Sequence, residues 1–250
     1  MSPNELKDFL DYKADFYEQE KFILEDPIQI PHRFNRKEDI EISALLVSTI
    51  AWGNRKSIIK SGEKLLQIMG NAPFDFVMNY SEKELEFVHR TFNSADLDFF
   101  FRSLKHIYTH HGGLENAFAV ASQTDDLKDH IMAFRKRFFE VPFEQRSAKH
   151  VSNPDSGSAS KRLVMFLRWM VRSPQKGVDF GIWTSIQTSS LLIPLDVHTG
   201  NVAHKLGLIA RNKNDWKTNM ELIQTLRAYD PKDPGKYDFA LFGLGAYEGF

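Results

Sequence analysis

The sequence predicts an all-α protein. Apolar residues recur at intervals of three and four along most of the chain, and no two alternating apolar and polar runs are joined by a hairpin turn. There are 21 phenylalanines among 250 residues, which favours helices packed through aromatic side chains over aromatic groups that stack on bases. A chain of this length can form one domain or two tightly joined lobes.

The predicted helices follow in order along the chain. Residues 4–24 keep loose helical spacing and stop before Asp26-Pro27, since proline cannot continue a helix. A buried helix begins at Glu38 and ends at Trp52-Gly53-Asn54. Further apolar patterns with helical spacing lie at residues 58–69, 97–108, 163–170, 197–208 and 236–246.

Composition excludes several kinds of site. Without cysteine, the chain has no disulfide, thiolate zinc site or cysteine-ligated iron–sulfur cluster. No apolar run approaches 18 residues and the N-terminus is charged, so we expect a soluble, cytoplasmic protein without membrane contact. Residues 1–26 carry a net charge of −5, which leaves +4 on the rest of a chain whose total is −1. That mild positive charge permits DNA contact without demanding it.

His106 and His110 lie four residues apart, on one face of a predicted helix, which is a metal-ligand spacing. No nearby pattern supplies a specific third ligand, so we predict no metal and no other cofactor. A helical metal-dependent hydrolase that uses these histidines remains a weaker hypothesis.

A carboxylate stands at the start of a partly buried helix. In Ile193–Leu208, a proline ends an extended approach, Asp196 occupies the helix boundary, and apolar residues follow with helical spacing. An aspartate there is commonly just an N-cap, which stabilises a helix by about 1 kcal/mol. Both the capping role and a chemical role are open for Asp196.

Several segments, in their order along the chain, resemble segments of a known protein family. Pro-Leu-Asp-Val-His followed by Val-Ala-His-Lys-Leu-Gly-Leu, within 194–208, resembles the Val-Asp-Thr-His-x-x-Arg-Val-x-x-Arg-Leu-Gly segment of the helix-hairpin-helix DNA glycosylases, the superfamily of endonuclease III. Leu-Leu-Val-Ser at 45–48 is similar to that family's Leu-Leu-Ser-Ala-Gln-Ala-Thr segment, and 236–246 resembles its C-terminal helix. The likeness runs from about 40 to 245 and points to a bacterial subfamily of unassigned function.

The family's hairpin, Leu-Pro-Gly-Val-Gly-x-Lys-Thr-Ala, has a degenerate counterpart here. Lys161 falls on the family's lysine, Gly157 on its first glycine and Ala159 on its second, with Ser158 and Ser160 between. Loss of the second glycine puts the tight turn and the grip on DNA in doubt. Small residues before a helix also leave backbone amides open to phosphate.

The resemblance implies a fold of two helical lobes around a central cleft. Residues 38–192 would form one lobe, and 1–37 with 193–250 the other. The interval of 35 residues from Lys161 to Asp196 is similar to that in the archaeal 8-oxoguanine glycosylases. Asp196 and Lys161 are then expected to be catalytic, with Lys176 as a weaker alternative nucleophile and a solvated first-turn lysine as the plain alternative for Lys161.

The resemblance also implies contacts with DNA and with an extruded base. Besides the 157–160 segment, the expected DNA contacts are Trp52, Asn54, Arg55, Arg162 and His198. Tryptophan beside glycine is more often a packed helix end. Candidate residues for the base pocket are Trp169, Asp179, Phe180, Trp183 and Gln187, of which several are expected to be core. In the helix that follows Lys161, Arg162, Arg168 and Arg172 are left for surfaces other than the apolar stripe.

The expected function is a monomeric DNA-repair glycosylase that acts on a damaged duplex and removes a damaged, oxidised purine. Cleavage of the glycosidic bond builds positive charge on the sugar, which the Asp196 carboxylate can stabilise. A deprotonated Lys161 can attack the anomeric carbon and form an imine that permits strand cleavage. The alternative is a helical protein that binds nucleic acid or a nucleotide on the same scaffold without catalysis.

Overall fold

The computed structural model is all-α, as predicted, and it describes residues 1–82, 84–120 and 126–250. Its α-helices, in chain order, are α1 Pro3–Tyr17, α2 Glu20–Ile23, α3 Lys37–Thr49, α4 Arg55–Ile68, α5 Pro73–Met78, α6 Ser94–His110, α7 Leu114–Phe118, α8 Leu127–Phe138, α9 Lys161–Val171, α10 Val197–Lys205, α11 Trp216–Tyr229 and α12 Tyr237–Tyr247. Short 3₁₀ turns lie at Pro27–Gln29, Pro31–Arg33, Gln145–His150, Pro154–Ser156, Pro174–Lys176, Thr188–Ser190 and Pro234–Lys236.

The chain divides into two compact units. The terminal unit consists of residues 1–22 and 153–250, and the middle unit of residues 23–152. The sequence analysis predicted the divisions at 37/38 and 192/193. In the structure, residues 153–192 belong to the terminal unit and residues 23–37 to the middle unit. The reason lies in α9, whose arginines bind carboxylates from α12 and from the residue that ends α1.

In the terminal unit, α12 packs against both α1 and α10. Gly243 permits a close approach between α12 and α1, because a Cβ atom added at this glycine would lie 2.1 Å from Cδ2 of Tyr17. The core of this unit is built from large side chains such as Trp169, Tyr237 and Phe239, each at most 1% exposed.

In the middle unit, phenylalanines form the core, as their number in the sequence predicted. Phe99 and Phe100 of α6 pack edge to face on Phe138 of α8, with ring centroids 5.4 and 4.9 Å apart. Phe118 stacks on Phe134 at 4.2 Å. These rings are buried, which joins α6, α7 and α8 through one aromatic cluster.

Some local structure differs from the sequence prediction. The helix expected over 4–24 is broken after Tyr17, because Glu18 leaves the helix and accepts hydrogen bonds from Arg172 at 2.6 and 3.1 Å. A two-residue antiparallel pair, β1 Val88–His89 with β2 Phe92–Asn93, was not predicted. Its turn contains Arg90 with a φ of +54°. The sequence analysis also did not predict α11, whose N-cap is Asp215.

Among the residues that the structure describes, no helix combines the length and the apolar character needed to cross a membrane.

Candidate active site

Lys161 and Asp196, the two residues predicted to be catalytic, are in direct contact within the terminal unit. Lys161 is the first residue of α9 and Asp196 is the N-cap of α10. The Lys161 Nζ atom donates a hydrogen bond to Asp196 Oδ2 at 2.7 Å. Their side chains are 35% and 21% exposed, so the ion pair can be reached from solvent.

The two oxygens of the Asp196 carboxylate accept hydrogen bonds from different partners. Oδ1 accepts a hydrogen bond from the Thr199 amide at 2.9 Å, which is the expected N-cap bond, and Oδ2 accepts from Lys161. The capping role and a chemical role are therefore compatible. Burial by itself would raise the pKa of Asp196, but the charge and hydrogen bond of Lys161 and the Thr199 amide lower the pKa by more, to below its ordinary value. The group is an anion at neutral pH.

Two asparagines that the sequence analysis did not identify hold the backbone around Asp196. Asn219, fully buried on α11, accepts a hydrogen bond from the Ile193 amide at 3.3 Å and donates one to the Ile193 carbonyl at 2.7 Å. Asn214 donates to the carbonyl of Asp196 at 3.1 Å. The approach to α10 is thus fixed on both sides of the proline. An asparagine inside a helix gives no sequence signal for this role, since its partner lies 26 residues away.

The 157–160 segment turns sharply before Lys161. Gly157 has a φ of +84°, with open space where a Cβ atom would stand, and Ser160 has a φ of +50°. The Gly157 carbonyl accepts a hydrogen bond from the Trp216 amide at 3.0 Å, and Ser158 forms an isolated antiparallel bridge with Asp215. The loop before α9 is therefore attached to the start of α11, which also carries Asn219.

The predicted DNA contacts in this segment differ in accessibility. Gly157 is exposed and Ser158 is partly exposed, whereas Ala159 and Ser160 are buried, at 7% and 2%. The amides of Gly157 and Ser160 are engaged within the segment, since the first donates to the Pro154 carbonyl and the second to the Ser158 hydroxyl. Surface contacts from this segment are thus restricted to its first half.

The terminal unit also contains a largely buried ionic cluster that the sequence analysis did not anticipate. Arg168 and Arg172 were expected on surfaces other than the apolar stripe, but each is 4% exposed. Arg168 binds Asp179 at 3.3 Å and also Asp238. Arg172 binds Asp179 at 2.8 Å, together with Glu18 and Asp233 at 2.6 and 2.7 Å. We call these six side chains the arginine cluster: Arg168, Arg172, Glu18, Asp179, Asp233 and Asp238.

The arginine cluster reaches the Lys161–Asp196 pair through Asp238. Burial raises the pKa of Asp238 to about 6, the charge of Arg168 opposes this, and the negative charge of Asp196 adds to the rise. The negative charge of Asp196 therefore acts on the carboxyl group of Asp238. Arg162, next to Lys161, is part-buried, and burial lowers its pKa to about 10.

The residues predicted to line a base pocket do not share one surface. Trp169, Asp179 and Trp183 are each at most 2% exposed, while Phe180 is partly exposed and Gln187 is exposed. The Trp169 indole Nε1 is buried and has no hydrogen-bond partner among the residues that the structure describes. The structure therefore places three of the five in the interior, where Asp179 binds two arginines, and leaves two at the surface.

The remaining predicted DNA contacts lie on different parts of the chain. Trp52, Asn54 and Arg55 belong to the middle unit, at the start of α4, where Asn54 is the N-cap. Trp52 is half-buried and packs on His89 and His150, with ring centroids 5.2 and 6.0 Å apart, which is the packed helix end weighed in the sequence analysis. His198 is exposed on α10, two residues after Asp196.

Lys176, the alternative nucleophile, is paired on the surface of the terminal unit with Asp15 of α1. This ion pair raises its pKa. Its amine is thus held as a cation by a carboxylate other than Asp196.

Comparison with known proteins gives one result. A protein-family model described as "Protein of unknown function (DUF2400)" matches residues 26–247, a range that includes the ion pair and all of the arginine cluster except Glu18. No curated protein and no solved structure shows a significant match to the chain.

Proposed function

The chain belongs to the DUF2400 family, whose description assigns no reaction, and we propose that it is a DNA glycosylase of base-excision repair that removes a damaged, oxidised purine. Asp196 and Lys161 are the proposed catalytic groups. One observation carries the proposal: the amine and the carboxylate meet at 2.7 Å while both remain partly exposed. The resemblance to helix-hairpin-helix glycosylases supports the choice of substrate.

The Asp196 carboxylate suits the first step of such a reaction. As the bond between C1′ and the base nitrogen breaks, its electron pair leaves with the base and positive charge develops on the sugar. A fixed anion lowers the energy of that cationic state. Asp196 meets this need because its pKa lies below the ordinary value and the cap bond to Thr199 holds it in place.

Lys161 suits the second step. Once it gives up a proton, which leaves with the departing base, its nitrogen can bond to C1′ where the base was attached. Opening of the sugar ring then gives an iminium ion. Loss of a proton from C2′ and cleavage of the C3′–oxygen bond break the strand, and water releases the sugar. When Lys161 keeps its proton, water takes the same position and the reaction ends with release of the base.

The base must leave the helical stack to reach this pair, and cations near the site would hold the bent backbone. Lys213 is exposed and adjacent to Asn214, which binds the carbonyl of Asp196. Lys217 is exposed one residue into α11. These two lysines are the proposed phosphate contacts of the terminal unit.

A second candidate is a protein that binds nucleic acid without cutting the glycosidic bond. The observation that favours it is the burial of Trp169, Asp179 and Trp183, which removes three of the predicted pocket residues from the surface. Both candidates bind nucleic acid or a nucleotide, and they differ in whether the glycosidic bond is cut.

The test is a borohydride-trapping and base-release assay on duplex oligonucleotides that carry 8-oxoguanine or an abasic site. We expect a covalent adduct that disappears in Lys161→Ala and persists in Lys176→Ala, the matched surface lysine. Base release should be lost in Asp196→Asn and retained in Asp215→Asn. Asp215 is a fitting control because it caps α11 through the Thr218 amide at 2.9 Å, as Asp196 caps α10.

Binding without an adduct or base release over a broad panel of lesions would reject the glycosylase in favour of the second candidate. Base release that survives in Asp196→Asn would reject the assigned role of the carboxylate.

A further inference from the structure

A cluster of two histidines and a glutamate lies in the middle unit, apart from the residues used above. His106 Nε2 and His111 Nε2 are 2.8 and 2.7 Å from the same oxygen, Oε2 of Glu140. The potential ligand atoms of the three side chains all lie within 4.8 Å of one another. All three side chains are accessible, at 26%, 23% and 38% exposure.

The sequence pointed to a different set. It suggested His106 with His110 from their spacing of four, without a third ligand. In the structure, His110 is exposed and its ring stands 4.6 Å from that of His106, but the side chain that completes the group is His111. Glu140, 29 residues further along the chain, supplies the missing ligand.

The positions of these side chains are set by ordered backbone. His111 is the C-cap of α6 and donates its amide to the Ile107 carbonyl at 2.8 Å. The chain then turns through Gly112 and Gly113, both at positive φ, which directs it away from the helix axis. Glu140 lies two residues after the end of α8, and Phe99 of α6 stacks on Phe139, the C-cap of α8, at 5.5 Å.

We propose that His106, His111 and Glu140 bind one divalent transition-metal ion of the zinc class, which links the end of α6 to the end of α8. Two imidazole nitrogens and one carboxylate oxygen are ligands that zinc prefers, with water in the fourth position of a tetrahedron. The ion replaces the proton on each Nε2, so that each neutral ring keeps its remaining proton on Nδ1.

The geometry requires an adjustment of the ligand atoms, including the two imidazole nitrogens, which lie within 4.8 Å of each other and must come to the separation that the ion sets. Ligand atoms around tetrahedral zinc stand about 3.3 Å apart, given metal–ligand bonds of about 2.0–2.1 Å. The two nitrogen–oxygen distances here are shorter, so Glu140 must draw back by roughly half an ångström. As the most exposed of the three side chains, Glu140 can make this movement without disturbing the phenylalanine core.

The test uses the tag-free full chain, titrated with zinc in competition with a chromophoric chelator, and cobalt(II) absorption as a second readout of tetrahedral coordination. We expect one zinc ion per chain. His111→Ala and Glu140→Gln should each weaken zinc binding by more than about tenfold, while the matched neighbour His110→Ala leaves it within about twofold. Zinc should raise the thermal unfolding midpoint of the wild-type chain and leave that of His111→Ala unchanged.

Three outcomes would overturn the assignment. They are the absence of stoichiometric zinc binding, equal loss in His110→Ala and His111→Ala, and unchanged affinity in Glu140→Gln. Circular dichroism of each variant distinguishes lost ligands from lost folding. None of these results depends on glycosylase activity.

Discussion

Replacement of Arg172 by methionine should destabilise the terminal unit more than any other single change in the arginine cluster. Arg172 donates hydrogen bonds to three carboxylates, Glu18, Asp179 and Asp233, and its single Nε–H is shared between the two oxygens of Asp233. Methionine approximates the length of the side chain but provides neither charge nor donors. The carboxylates would then be left with Arg168 as the remaining cation of the cluster.

The magnitude follows from burial. Arg172 and Asp179 have side chains that are 5% and 0% exposed, and Glu18 is 6% exposed, so water cannot replace the lost hydrogen bonds at low cost. Removal of one partner of a buried ion pair costs about 3–5 kcal/mol. Arg172→Lys keeps the charge but has three donors, and its expected cost is about half as large.

The assay is urea unfolding of the full chain followed by tryptophan fluorescence. Trp169, Trp183 and Trp216 all lie in the terminal unit, so the signal reports largely on the part that contains Arg172. The matched control is Arg211→Met, which removes a surface ion pair with Asp215 and should cost less than about 1 kcal/mol. Equal losses in Arg172→Met and Arg211→Met would refute the reasoning, because burial would then make no difference.

Three further predictions concern the same unit. Gly243→Ala should lower the free energy of unfolding by about 1–3 kcal/mol in urea melts, since the added methyl group meets the Tyr17 ring; an unchanged value would show that α1 and α12 can separate freely. The pKa of Asp238 is about 6 in the folded protein against an ordinary 3.8, so its contribution to the free energy of unfolding falls as pH rises from about 4 to 6. Over that interval, Asp238→Asn should gain up to about 3 kcal/mol of unfolding free energy relative to the wild-type chain. Parallel pH profiles of the two proteins would contradict this. Lys161→Met should change the unfolding free energy by less than about 1 kcal/mol, because the lysine is about one third exposed. A loss of activity in this variant would then reflect the loss of the amine from the reaction. A large destabilisation would remove that interpretation.

Local patterns in the sequence identified the parts of the candidate site that are local in origin. The N-cap role of Asp196 followed from a carboxylate placed before an apolar helical pattern, and it is present in the structure. The start of a helix at Lys161 followed from the small residues before it. That these two residues would meet was an expectation from resemblance, since they are separated by 35 positions.

The sequence could not indicate which cations are buried. Arg168 and Arg172 have the same spacing as surface residues of a helix with one apolar stripe. Their burial depends on carboxylates 70 and 154 residues away along the chain, which no local pattern reveals. The same reason explains why His111, and not His110, belongs to the histidine cluster, since its partner Glu140 lies two residues beyond the end of another helix, α8.

By itself, the sequence determined the all-α class, the positions of several helices and the burial of many phenylalanines, because capping, proline positions and apolar spacing act over a few residues. The tertiary structure alone decided that α1 breaks at Glu18, that the two arginines are interior and that the lysine and aspartate share a hydrogen bond. These features depend on charges brought together from distant parts of the chain, where the cost of burial is balanced by partners that the folded backbone supplies.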